Sequence, residues 1–109
     1  MSAETICMKA GDRRPFLLVA LSIKNAPSSN PLTGAVGVRF RMVNRKTGAV
    51  KIDNAVASID SVPTRTVVYQ WASGDTDEPG LYDGWFIVDY GGGVVQSFPA
   101  CGSITVHIE

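Results

Sequence analysis

From Tyr82 to Tyr90 the chain repeats with a period of two, and no other feature constrains the fold more. Tyr82, Gly84, Phe86 and Val88 fall on one side, and Asp83, Trp85, Ile87 and Asp89 on the other. Only an extended strand sends successive side chains to opposite faces; a helix would scatter these residues around its axis. The same rhythm runs through Val36–Val43, with Val36, Val38, Phe40 and Met42 opposed to Gly37, Arg39 and Arg41. Arg65–Ala72 directs Val67, Tyr69 and Trp71 to one side, and Ser103–Glu109 does the same with Ile104, Val106 and Ile108. Nowhere does an apolar i, i+3, i+4, i+7 spacing persist across ten residues. The chain reads as all-β.

Turn residues divide it into short strands. Glu4–Lys9 is a first strand before Ala10-Gly11-Asp12. Phe16–Ile23 is a mostly apolar second strand, expected to be covered on both faces. Lys24–Gly34 packs two prolines and a glycine into one loop. Asn44–Gly48 ends in the glycine of a bulged hairpin turn and returns through Ala49–Ile52. Ala55–Asp60 is a weaker strand closed by Pro63, and Phe98–Gly102 interrupts the last strand with a proline. The 109 residues suit one domain, 1–109, which can bury a core without a disulfide or metal.

Glu78-Pro79-Gly80-Leu81-Tyr82 has the acidic-x-Gly-x-Tyr form of a tyrosine corner, in which the hydroxyl bonds back to the preceding loop. Gly80 would supply the unusual backbone angles and Pro79 would stiffen the entry. Seven to eight antiparallel strands with such a corner predict an immunoglobulin-like β-sandwich. Antibody-type domains carry a cysteine two residues after the tyrosine; here that position is Gly84.

Further turn features point to a family. Lys9-Ala10-Gly11-Asp12 precedes the second strand and Thr33-Gly34-Ala35-Val36 opens the third. Val68-Tyr69-Gln70-Trp71, Asp75-Thr76-Asp77, Pro79-Gly80-Leu81-Tyr82 and Phe98-Pro99 follow. Together they resemble the Ig-like N-terminal domain family of phage baseplate upper proteins, over nearly the whole chain. The resemblance implies a tailed-phage virion component made in the host cytoplasm. Such a β-sandwich would dock onto capsid, tail or baseplate subunits.

The residues themselves suggest docking too. If the Tyr82 face fills the core, Trp85 and Ile87 face outward between Asp83 and Asp89, with Arg39 and Arg41 on the neighbouring strand. Tryptophan flanked by arginine and aspartate has the composition of an interface anchor. The alternative is that a loop, or the Lys24–Gly34 segment, folds over Trp85. A carbohydrate- or receptor-binding module using Tyr69, Trp71 and loop tips is the second functional reading. It is weakened by the inward parity those two rings share with Val67.

Net charge is zero, but residues 1–54 hold nine bases and three acids while residues 55–109 hold one base and seven acids. This leaves +6 in one half and −6 in the other. Either the halves pair internally across strands, or a basic patch on one copy meets an acidic patch on the next. A neutral chain does not suit nucleic acid. No segment approaches the roughly 20 apolar residues of a membrane helix, and Met1–Thr5 is unlike a secretory signal.

No residue pattern indicates catalysis, a cofactor or a metal. Asp75, Asp77, Glu78 and Asp83 lack the spacing of a calcium loop and suit turns and solubility instead. His107 is the only histidine and alternates outward. Gly91-Gly92-Gly93 precedes a strand rather than a helix, so it is a turn and not a phosphate cradle. Cys7 and Cys101 lie near opposite ends and could meet if the first and last strands are neighbours; against that disulfide, two buried free thiols are the expectation, in the absence of any CxxC or secretion signal.

Overall fold

A computed structural model describes residues 5–14, 16–21, 30–98 and 103–109. Among them are eight strands and no helix: β1 (Thr5–Met8), β2 (Leu17–Ala20), β3 (Gly37–Asn44), β4 (Val50–Ser61), β5 (Thr66–Tyr69), β6 (Gly80–Gly91), β7 (Val94–Phe98) and β8 (Ile104–Ile108). Glu4, the Ser22–Ser29 stretch, Cys101 and most of the Phe98–Gly102 interruption lie outside the described residues.

The strands form one mixed sheet in the order β1-β8-β6-β3-β4-β5-β2, nearly closed into a barrel, with β7 paired to β6 off this path. The 12-residue β4 links the ladders, pairing with β3 through Val50–Ala57 and with β5 through Ser58–Ser61. One expectation is corrected here: not every pair is antiparallel. β1 lies parallel to β8, as strands from opposite ends of a chain can, since no tight hairpin joins them.

The strand β4 also merges what the sequence divides at Asp53-Asn54. Between the pairs Phe40↔Ala55 and Met42↔Ile52 it carries an extra residue, and Asn54 adopts φ +53°. Asparagine tolerates this left-handed conformation, so the apparent break is a bulge within a continuous strand.

The alternating residues build the core. Val38, Phe40 and Met42 of β3, Tyr82, Phe86 and Val88 of β6, and Ile104, Val106 and Ile108 of β8 are all buried. Phe40 sits at the centre of the aromatic packing, with its ring centroid 4.9 Å from Tyr69, 5.0 Å from Phe86 and 6.0 Å from Trp71. Gly84 makes this possible. A Cβ there would stand 2.9 Å from Phe40 Cζ, inside van der Waals contact, so the strand leaves its core-facing position empty for the ring.

Side-chain hydrogen bonds anchor the loops. The Tyr82 hydroxyl donates to the Glu78 carbonyl at 2.8 Å, closing the corner, and Gly80 takes φ +153° at its entry. Tyr90 donates to the Pro31 carbonyl at 2.6 Å. The buried Thr76 hydroxyl donates to the Asp12 carbonyl at 2.6 Å, while Gly11 N–H donates to the Thr76 carbonyl at 2.8 Å. Asn44 accepts from the Lys46 and Thr47 amides, shaping the hairpin turn that Gly48 closes.

Three burial expectations fail. Phe16 and Leu18 are 40% and 52% exposed, because β2 is the end strand of the sheet and only Leu17, Val19 and Leu21 reach the core. Val36 is 70% exposed; it precedes β3, where its amide bonds the Asp89 carbonyl but its side chain is not yet in the strand's alternation. Cys7 is an exposed thiol, since β1 turns Met8 inward and Cys7 to the other side.

Candidate interaction surface

Register decides which outward residues become neighbours, since directly paired residues of antiparallel strands share a face. Along β3 and β6, Arg41 pairs with Trp85, Arg39 with Ile87, and Val43 with Asp83. Each row extends sideways. Arg39 also pairs with Val56 of β4, and Ile87 with Ser97 of β7. Asp89 lies between Gly37 and Val95, and Asp83 between Val43 and Thr105. All six predicted surface residues thus occupy one outward face.

Their exposure divides them. Arg39 and Arg41 are exposed, whereas Asp83, Trp85, Ile87 and Asp89 are half-buried. The freely exposed tryptophan anticipated from alternation is therefore corrected to a partly covered one. Trp85 lies mid-sheet, paired with Arg41 and flanked by Asp83 and Ile87 on β6; of the Lys24–Gly34 segment considered as its cover, residues 24–29 lie outside the described residues. The most exposed apolar groups on this face are Val56 at 76% and Val95 at 58%. Neither was singled out from sequence. The alternation of Val56 between Ala55 and Ala57 marks it as outward, but its position beside Arg39 depends on the β3–β4 register.

The two aspartates do local work. Asp83 accepts from Arg45 Nη2 at 2.8 Å and from Ser103 Oγ at 2.7 Å, and Arg45 also reaches Thr105 Oγ1 at 2.9 Å. The Arg45 hydrogen bond, more than the one from Ser103, holds the Asp83 carboxyl below the usual carboxylate range, with burial opposing. Asp89 accepts from the Gly91 amide at 2.8 Å and so shapes the β6–β7 turn. Arg39 donates to the Asn54 carbonyl at 3.3 Å, and no ion pair with a described residue engages Arg39 or Arg41.

Three bases of the first half pair with acids of the second. Lys9 meets Glu109 at 3.0 Å, Arg45 meets Asp83 at 2.8 Å, and Lys51 meets Asp77 at 2.7 Å with Glu78 at 3.9 Å. Of the four carboxylates considered for calcium, Asp83 pairs with Arg45, Asp77 and Glu78 share Lys51, and Asp75 accepts from the Tyr69 hydroxyl at 2.6 Å. Among the described residues no three His, Cys, Asp or Glu side chains are placed to hold a metal. His107 is half-buried and pairs in register with Cys7 and Leu81. Near it a hollow of about 310 Å³ is lined by Cys7, Met8, Lys9, Asp12, Arg14 and Glu109, where Lys9 and Glu109 neutralise each other. Tyr69 and Trp71 are buried in the aromatic core.

No family model, curated protein or solved structure matches the chain.

Proposed function

We propose that the chain is a non-enzymatic, immunoglobulin-like module of a tailed-phage virion, docking onto capsid, tail or baseplate subunits through the outward face of β3 and β6. The observation that carries the docking reading is the double row Val56–Arg39–Ile87–Ser97 and Arg41–Trp85. It sets three apolar side chains, Val56, Ile87 and Trp85, among two exposed guanidinium groups that no described carboxylate engages. Tryptophan and arginine dominate interface energetics, and partial screening of a ring by its neighbours still leaves an anchor for a partner's pocket. The immunoglobulin-like reading is supported by the Tyr82–Glu78 corner and by β4 passing from one pairing partner to the next. The virion reading rests on the resemblance of the turns and corner. Tyr69 and Trp71 offer no sugar platform, since both rings are buried.

Mass spectrometry of purified particles tests the assignment: the protein is expected among virion components, in a fixed copy number. Trp85→Ala, and separately Arg39→Glu with Arg41→Glu, should leave the isolated domain folded by circular dichroism while lowering incorporation roughly tenfold or more, as loss of an interface anchor does. Absence of the protein from particles would refute the virion role. Undiminished incorporation of both variants would refute the docking face.

A further inference from the structure

Where β2 begins, two arginines and an aromatic ring gather around a hollow of about 320 Å³, lined by Arg13, Arg14, Phe16, Gln70 and Trp71. Its place follows from register. β2 and β5 pair Leu17 with Tyr69, whose side chains enter the core, so Phe16 before one and Gln70 after the other fall on the outward side. Phe16 is 40% exposed there, and Gln70 is exposed. The strands β4 and β5 separate this hollow from the β3–β6 face.

Both guanidinium groups are held in place, and neither is neutralised. Arg13 Nε donates to the Trp71 carbonyl at 3.0 Å, and Arg14 Cζ lies over the Phe16 ring, 5.6 Å from its centroid. The backbone before them is fastened as well. The Ala10 amide donates to the Glu109 carbonyl at 2.7 Å, and the Thr76 hydroxyl to the Asp12 carbonyl at 2.6 Å. Arginines already positioned by neutral partners lose little further freedom when an anion arrives.

No ion pair with a described residue engages Arg13 or Arg14. Of the ten acids in the chain, nine are described; the tenth, Glu4, precedes Thr5, the end of β1 remote from the arginine loop. Asp12 lines the adjoining hollow together with Arg14, but the two form no ion pair.

We propose that this hollow binds a phosphate monoester carried on a small apolar or aromatic group. A guanidinium presents paired donors that match phosphate oxygens. Two uncompensated cations balance a group that is close to a dianion at neutral pH, whereas a carboxylate would leave one charge over. The Gln70 carboxamide adds a donor, and the Phe16 ring an apolar wall. The volume exceeds what phosphate alone fills and lies at the small end of ligand pockets. The site stands on its own residues and does not depend on the docking role.

Phenyl phosphate is the probe, titrated into the full chain at low ionic strength and followed by NMR shifts. Saturable shifts are expected at Arg14, Phe16 and Gln70. Phenyl phosphate should bind roughly three- to tenfold more tightly than inorganic phosphate, which lacks the ring, and than phenylacetate, which carries a single charge. Arg14→Gln should weaken binding roughly five- to tenfold with circular dichroism unchanged. Lys46→Gln, an equal loss of charge in the exposed β3–β4 turn, should leave it as it is. Should Arg14→Gln fail to fold, the comparison of the three ligands on the unaltered chain decides alone. The absence of saturable shifts at up to about 20 mM phenyl phosphate overturns the proposal. So does phenylacetate or inorganic phosphate binding as tightly, or an equal loss from Arg14→Gln and Lys46→Gln.

Discussion

Gly84 shows how one missing side chain can organise a core. Its neighbours on β6 alternate large residues inward, yet here the strand yields to the Phe40 ring, which Tyr69, Trp71 and Phe86 hold from the other sides. Gly84→Ala adds a methyl group where the ring cannot retreat, and should destabilise the fold by about 1–3 kcal/mol, read as a lower urea midpoint. Tyr69 illustrates a titrating residue in the same cluster. Burial first, and then its hydrogen bond to the Asp75 carboxylate, hold its hydroxyl protonated well above the ordinary tyrosine range. The unfolded chain therefore ionises before the folded one. This contribution to stability is complete below pH about 10 and is lost as pH rises through the folded value. Tyr69→Phe cannot ionise, so its urea midpoint should fall less steeply with pH above about 10 than that of the wild type. Part of the alkaline loss remains, because burial raises Tyr82 and Tyr90 in the same sense.

At the scale of the element, β4 is held together by a single residue in an unusual conformation. Its first part belongs to the β3 ladder and its last to the β5 ladder, and the bulge at Asn54, φ +53°, lies within the first. Asn54→Gly relieves the backbone and should change stability by less than about 0.5 kcal/mol. Asn54→Val forces a β-branched side chain into the left-handed region and should cost about 1–2 kcal/mol in denaturant titration. Equal effects of the two substitutions would show that the bulge is not what holds this turn of the strand. The bulge also places Arg39 beside Val56, so the same measurement bears on the geometry of the outward face.

Across the whole molecule, the β3–β6 face is the outward feature that presents a tryptophan among arginines. Trp85→Ala should impair incorporation into particles while leaving the circular dichroism spectrum of the isolated domain unchanged. The charges contribute differently. Lys9–Glu109, Arg45–Asp83 and Lys51–Asp77 tie residues of the basic half to residues of the acidic half at the surface, where such pairs fix alignment more than they add stability. Arg39 and Arg41 lie outside these pairs and remain exposed cations on the β3 side of the stripe.

Local chemistry made much of this legible before any fold was known. Period-two alternation identifies Phe40, Met42, Tyr82, Phe86 and Val88 as core because a strand has only two faces, and Glu78–Tyr82 announces its corner because few residues permit that backbone path. Alternation carries no information about which strand lies alongside which. Partners separated by many residues, the parallel β1–β8 pair and the passage of β4 between ladders emerge only when the sheet curls toward closure. So does the half-burial of Trp85: its direction follows from its own strand, but its exposure is set by the tertiary structure around it.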